Sequence, residues 1–492
     1  MRAEDGTRDL RGAVPGTLLR AGPGAVASLA VASLAVAFFL APAGARAQRA
    51  SEPAAATPEQ RYTDWAHPIF APEEYRVRRR LLVEELKRRA GGIFLLPSAD
   101  GSTRGGTFRQ LDDFWYFTGL ETPASLLAVD GDEGRAILFL PTRDARFENP
   151  GRPNDFPGRL LGADPEVAAL AGLPGAAAMA SLPDSLREWA ARRRTFVVNG
   201  GAPGRLSRPT VPALGTLGPL ASLILHLLER HPTAHLENGY EALAHVRGAK
   251  RPGEIRLLRR AARVTAAAIV RTAGEIRPGV DENHLRGVFE AACRDGGAQR
   301  IPFTPIIKSG PNSLWPWRIL AAHYDRRNRT LEDGELVIQD VGCEVEGYVS
   351  DVGRTFPVSG RFTSSQREKL EMATRVSDTV ISAVRPGVTL SDLLKVAYEA
   401  IPDAEEPYMQ APVFFGHPLG LSTSDPILPD EPLRPGMVFT VEPWYYNHAR
   451  GISVFIEDVV LVTEDGAEVL TAGLPRSPGE LEGMVGGGIY PP

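Results

Sequence analysis

Gly334-Glu335-Leu336-Val337-Ile338-Gln339-Asp340-Val341-Gly342-Cys343-Glu344-Val345-Glu346-Gly347-Tyr348-Val349-Ser350-Asp351 is the stretch that decides how this 492-residue chain folds. An apolar run ends in Asp340, Glu346-Gly347 marks a turn, and Tyr348 to Pro357 runs back with Asp351 near its start. The pattern predicts a hairpin centred near residues 345 to 347, which places Asp340 and Asp351 opposite or diagonal to each other. Such neighbours lie about 4.5–5.5 Å apart when opposed and about 7–8 Å apart on the diagonal. Two carboxylates that close in an apolar sheet repel, so one must hold a proton or both must hold a cation.

The device is used twice. Gly436-Met437-Val438-Phe439-Thr440-Val441-Glu442 repeats the strand that ends in an acid six residues after a glycine, and Glu457 lies on a further strand-like run from Ile452 to Val462. Upstream of each copy, Arg277-Pro278-Gly279-Val280 and Arg385-Pro386-Gly387-Val388 separate two amphipathic helices. The unit is helix, Pro-Gly turn, helix and antiparallel strands, so two copies closing on each other put Asp340 and Glu442 in equivalent positions about a pseudo-two-fold axis. His417, in Gly416-His417-Pro418, adds an imidazole. One imidazole and four carboxylates suit two hard or borderline divalent ions, Mn²⁺ before Zn²⁺ or Co²⁺, better than a sulfur-rich zinc site. A pair of such ions activates water and polarises a carbonyl, which is hydrolase chemistry.

Working outward, a helix is expected from Pro68 to Ala90 and buried strands at Gly92–Pro97, Phe114–Phe117, Ser125–Val129, Ala136–Leu140 and Thr195–Val198. The Gly- and Pro-rich segment 200–219 places a domain boundary near residue 235. The first 47 residues have the form of a signal peptide: arginines, an apolar stretch from Gly24 to Ala41, and Ala45-Arg46-Ala47 as the cleavage site. The product is expected to be exported to a periplasm or outside the cell, with no membrane attachment once the leader is removed. Lys+Arg 55 against Asp+Glu 60 gives a net charge of −5 with no basic run, which excludes a nucleic-acid backbone as the main partner. The two cysteines, Cys293 and Cys343, are too few for a disulfide scaffold and are expected to be buried thiols.

The motifs resemble those of the aminopeptidase P and prolidase group of metallopeptidases over residues 60 to 475. Asp340 and Asp351 match that group's two aspartate ligands, His417 its histidine ligand, and Glu442, in Thr440-Val441-Glu442-Pro443, and Glu457, in Ile456-Glu457-Asp458, its two glutamates. His323, in Ala322-His323-Tyr324, matches the histidine near the scissile carbonyl, and Arg109 to Leu120 resembles the group's amino-terminal domain. The resemblance implies an α/β (α+β) protein: residues 48–235 form an amino-terminal αβ domain, 236–475 a duplicated pita-bread catalytic domain, and 476–492 a Gly/Pro-rich tail. It also implies that the five ligands hold two divalent ions, that Glu442 shuttles the proton to the leaving nitrogen and that His323 steadies the tetrahedral intermediate. The expected reaction removes the N-terminal residue from peptides with proline second. A prolidase-like dipeptidase and a weakened peptide-binding pseudoenzyme are the alternatives, and a homo-oligomer is left open.

Four positions depart from the group's pattern: Ser424 and Val413 stand where histidines are expected, Gly353 where a threonine is, and Phe455 where an arginine is. His448, between the two glutamates, is the candidate to stand in for the histidine lost at Ser424, although a solvent-exposed loop residue is the simpler expectation. The remaining histidines are expected at the surface.

Overall fold

The computed structural model describes residues 63, 66–101, 107–143, 161–212, 215–314, 327–409 and 416–487. The expected leader, His323 and Val413 lie outside them. Among the described residues no helix is long and apolar enough to cross a membrane.

The amino-terminal part is a mixed six-stranded sheet in the order β4-β3-β2-β1-β5-β6. Its strands are β1 (Ile93–Pro97), β2 (Leu126–Asp130), β3 (Arg135–Leu140), β4 (Ala176–Ala178), β5 (Phe196–Val198) and β6 (Leu236–Asn238). Helices α1 (Pro72–Arg88), α2 (Asp112–Thr118), α3 (Pro165–Leu170), α4 (Leu182–Ala191), α5 (Pro219–Arg230) and α6 (Tyr240–Arg247) accompany it. Phe114–Phe117 is therefore helical, contrary to the expected strand. Asp112 and Asp113 in the first turn and Gly119 at φ 68° closing the last are helix-end chemistry that the aromatic run conceals.

The carboxy-terminal part begins with α7 (Pro252–Ala273) and α8 (Glu282–Asp295), and repeats them as α9 (Ser364–Ala383) and α10 (Leu390–Ala400). Each pair is joined by the Pro-Gly turn read from the sequence. Gly279 and Gly387 adopt φ 88° and 92°, which only glycine takes at little cost. The duplication extends to individual hydrogen bonds. The Gly279 N–H donates to Leu331 O and the Leu331 N–H to Val280 O, while Gly387 donates to Leu433 O and Leu433 to Val388 O. Leu331 and Leu433 each stand three residues before the glycine that opens the acid-bearing strand, so the helical turn fixes where that strand starts.

In the first half, β7 (Ile306–Ser309), β8 (Leu336–Val341) and β11 (Val352–Pro357) form one antiparallel sheet, with the small ribbon β9 (Glu344–Val345) and β10 (Tyr348–Val349) at the hairpin's end. Asp340 pairs with Gly353 and Val345 with Tyr348, so a single register runs through the whole hairpin. In the second half, β12 (Val438–Val441), β15 (Asp458–Val462) and β16 (Ala467–Val469) form the matching sheet, and an extra hairpin, β13 (Trp444–Asn447) and β14 (Ile452–Phe455), is inserted between the acids. The α11 helix (Pro478–Glu482) lies within the segment expected to be a tail.

Cys293 and Cys343 are buried as expected but are joined in a disulfide, not left as thiols. The last turn of α8 and the loop after β8 bring their Cα atoms to 5.8 Å, inside the range a disulfide spans. Spacing in sequence could not report that distance.

Candidate metal centre

The hairpin register sets Asp351 two residues from Gly353, the partner of Asp340, and so diagonal to Asp340, which is one of the two expected arrangements. The two sheets then meet at one point, where Gly353 and Glu457 exchange backbone hydrogen bonds of 3.3 and 3.0 Å. That bridge carries Glu457 of the second half to the acids of the first. The carboxyls of Asp340 and Asp351, and of Asp351 and Glu457, lie within hydrogen-bonding reach, contacts that like charges make only with a proton or cation between them. His417 Nε2 lies 3.4 Å from Asp351 Oδ2 and 3.6 Å from Glu442 Oε1. Donor atoms of Asp351, His417 and Glu457 all fall within 4.8 Å of one another. All five predicted ligands are thus brought together.

Burial and mutual repulsion define the electrostatics. Burial first, then the neighbouring charge of Asp351, pushes the Asp340 carboxyl well above its usual range. Burial first, with Asp351, Glu442, Asp340 and Asp458 adding to it, does the same to Glu457. Asp351 is pushed up to about 8 by burial, against the pull of its hydrogen bonds to Asp340 and Glu457. Glu442 is also pushed up to about 8, burial again leading and the Asp351 and Asp340 charges adding to it against His417. Asp351 Oδ1 and Glu457 Oε2 are buried with no hydrogen-bond partner. A buried oxygen left without a donor is costly in proportion to its charge. Oxygen- and nitrogen-rich donors, like-charged and with lone pairs unspent, fit hard divalent cations. The side chains of His417 and Glu442, 32% and 14% exposed, face the open side, whereas Asp351 and Glu457 form the closed floor.

Two supporting groups escape a search for ligands. Thr440 Oγ1 donates to Glu442 Oε1 at 3.1 Å and accepts from the His417 N–H at 3.0 Å, so one hydroxyl orients two of the candidate ligands. Gly416 lets this happen: a Cβ there would lie 1.8 Å from Thr440 O. The alternation Thr440-Val441-Glu442, which puts Thr440 and Glu442 on one strand face, was the available signal. Arg354 is fully buried and donates to Gly353 O, Glu457 O, Leu474 O, Pro475 O and Asp458 Oδ1, tying the two ligand hairpins together from behind.

The departures divide into two cases. Ser424 is exposed, on the loop whose Asp425 is held by Arg247 and Lys250. Gly353 and Phe455, by contrast, touch: a Cβ on Gly353 would lie 2.2 Å from the Phe455 ring. His448 sits exposed at the far tip of the β13–β14 hairpin, four residues from Trp444 along a strand that rises about 3.3 Å per residue, and so does not lean over the acids. His245 departs from the surface expectation, being half-buried between Glu85 and Glu431 at 2.7 and 2.9 Å.

Comparison with known proteins agrees with this geometry. Residues 256–464 match the model of metallopeptidase family M24, and residues 75–195 match that of the aminopeptidase P N-terminal domain. The chain is 30% identical over 461 residues to an Xaa-Pro aminopeptidase of Escherichia coli, covering 84% of this chain and 97% of the relative. It is 30% identical over 444 residues to a mitochondrial intermediate cleaving peptidase 55 of Arabidopsis thaliana, with 84% and 83% covered. Among solved structures, aminopeptidase P from Escherichia coli with the inhibitor Pro-Leu superposes with a TM-score of 0.67 at 27% identity, covering 84% of this chain and 98% of that one.

Proposed function

Belonging as it does to the aminopeptidase P group of metallopeptidase family M24, this chain is a hydrolytic metallopeptidase, and we propose that it removes the N-terminal residue from peptides whose second residue is proline. The observation that carries the reading is the convergence of Asp340, Asp351, His417, Glu442 and Glu457, with two buried carboxylate oxygens left without a donor. In the proposal these five residues hold two divalent ions, manganese foremost. When bound, such ions supply the Lewis acidity that activates water and polarises the scissile carbonyl.

The chain's own residues do the rest. Glu442, on the open side and steadied by Thr440, accepts the proton released by the attacking water and passes it to the leaving imino nitrogen. His417 keeps one face of Glu442 occupied, and the backs of both ligand hairpins are fixed by Arg354, so the acids do not spread as charge develops. His323 enters this reading through the family resemblance alone, as the group that would steady the developing oxyanion. We include export in the proposal: the leader-like residues 1–47 support it, and so does the Cys293–Cys343 bond, since such bonds persist mainly in oxidising compartments.

The test is release of the first residue from Xaa-Pro-Yaa tripeptides and Xaa-Pro dipeptides by Mn²⁺-loaded protein, with a chelator-treated control. Tripeptide cleavage that chelation abolishes is expected. Cleavage of dipeptides alone would make it a dipeptidase, and metal binding with no cleavage would make it a peptide-binding pseudoenzyme.

A further inference from the structure

Arg109 to Leu120 lies in the amino-terminal part, yet its polar side chains reach both halves of the carboxy-terminal part. Those halves meet a second time outside their sheets, where the Val349 N–H donates to Gly420 O at 3.0 Å. Val349 stands two residues before Asp351 and Gly420 three after His417, so this bond helps set how closely the aspartate and the imidazole approach. Only glycine allows it at 420, because a Cβ there would lie 2.3 Å from Asp425 Oδ2.

Two arms close over that junction. In the first, Arg109 Nε donates to Glu344 Oε2 at 3.3 Å and Nη2 to Leu421 O at 2.5 Å. Glu344 is the cross-strand partner of Val349, and Leu421 follows Gly420, so one guanidinium spans the junction. In the second, Asp113 accepts from Arg247, which also donates to Asp425, and Asp425 Oδ1 accepts from the Leu421 N–H at 3.3 Å. Leu421 is thereby gripped by both its N–H and its C=O. Lys250 Nζ holds the other Asp425 oxygen at 2.9 Å. The side chains of Arg247 and Asp425 are only 3% and 2% exposed, so breaking this arm leaves a buried charge short of a partner. The motif that presents both arms is itself fixed. Gln110 Oε1 accepts from Ala99 N and Leu111 N, its Nε2 donates to Leu120 O and Thr122 O, and the Trp115 ring lies edge-on to Tyr348.

We propose that Arg109 and Asp113 are positioning residues for the cation site: the amino-terminal part clamps the Val349–Gly420 junction and so holds His417 against Asp351. The proposal rests on the metal-holding part of the reading above. Pairing with β12 fixes His417 as far as the Leu419 N–H, which donates to Val438 O; beyond it the chain leaves that strand and the clamp takes over. Ligands bind a divalent ion tightly when they are fixed beforehand, and loss of a group that orients one lowers metal affinity about 10–100-fold.

The experiment is a Mn²⁺ titration of the chelator-treated full chain, free ion being read by electron paramagnetic resonance, for wild type, Arg109→Met, Arg109→Lys, Asp113→Asn and Arg194→Met. Arg194 pairs with Asp130 and Asp132, all within the amino-terminal part, and controls for a general loss of ion pairs there. Arg109→Met should fold, because Glu344 keeps Arg300 at 2.8 Å. It should weaken Mn²⁺ binding about tenfold or more, Asp113→Asn by a similar factor and Arg109→Lys by less, while Arg194→Met leaves it unchanged. Should Arg109→Met not fold, Arg109→Lys carries the same test. Wild-type affinity in the Arg109 and Asp113 variants overturns the clamp and leaves the metal reading standing. An equal loss in Arg194→Met also overturns it, since any weakening of the amino-terminal part would then act alike. The expected order of affinities with no cleavage of Xaa-Pro peptides by wild type sinks the peptidase reading and keeps the clamp. No Mn²⁺ uptake by wild type sinks both.

Discussion

The two halves of the catalytic part share a scaffold and differ in what lies between their acids. Both have the helix pair, the left-handed Pro-Gly turn, the same two leucine hydrogen bonds and an acid-ended strand. Between Asp340 and Asp351 the first half makes only a tight turn through Glu346 and Gly347, at φ 50° and 80°, backed by the disulfide to α8. Between Glu442 and Glu457 the second half inserts the β13–β14 hairpin with its aromatic residues. The repeated features place the acids, and the unrepeated ones supply rigidity on one side and a packed aromatic hairpin on the other.

That division can be broken most severely at a repeated position. Asp351→Asn should lower kcat/KM by well over the roughly hundredfold that losing an outer hydrogen-bond partner of a ligand can cost, with metal content falling by plasma emission and the far-UV spectrum unchanged. A variant of full activity after chelation would end the metal model. Next comes the brace peculiar to the first half. Replacing Cys293 and Cys343 by alanine frees a loop of 50 residues, worth about 4 kcal/mol in the chain-entropy description, and should lower Tm markedly by calorimetry while leaving metal stoichiometry intact.

The acids themselves predict a pH response that distinguishes apo from loaded protein. Asp351 and Glu442 titrate near 8 in the fold, mainly through burial, but at about 4 when unfolded, so the fold binds their protons more tightly. Their contribution is therefore complete below about pH 4 and is lost as pH rises toward about 8. In chelator, Tm should fall across that window; with Mn²⁺ the fall should vanish, and an identical fall in both conditions would refute the assignment. Gly353→Ala sharpens the comparison where the halves touch. It overpacks against Phe455 and should cost about 1–3 kcal/mol, relieved in the double variant Gly353→Ala, Phe455→Leu, as a denaturant cycle would show. The smallest effect belongs to the hairpin tip, where His448→Ala should leave turnover unchanged and stability within about 0.5 kcal/mol.

What could be read from the sequence was whatever depends on period and order. The hairpin register, the duplication and the four acids follow from alternation and from two copies of one turn, whereas His417 was singled out as a fifth partner by the family resemblance. What could not be read depends on distance between segments remote in sequence: the Cys293–Cys343 bond, the Arg354 brace and the contact of Gly353 with Phe455. Phe114–Phe117 failed for another reason. Four aromatic residues suit a buried strand as well as a short helix, and the arbiter, an acidic first turn followed by Gly119, lay at the edges of the run.

The Gly353–Glu457 bridge also orders events in time. The disulfide joins residues of the first half only, whereas the proposed cation site draws on Glu457, near the end of the described chain. The covalent lock therefore needs only the first half in place, whereas cation uptake at the proposed site would report that both halves have closed. Thiol trapping during refolding should show the cysteines protected before manganese binding begins.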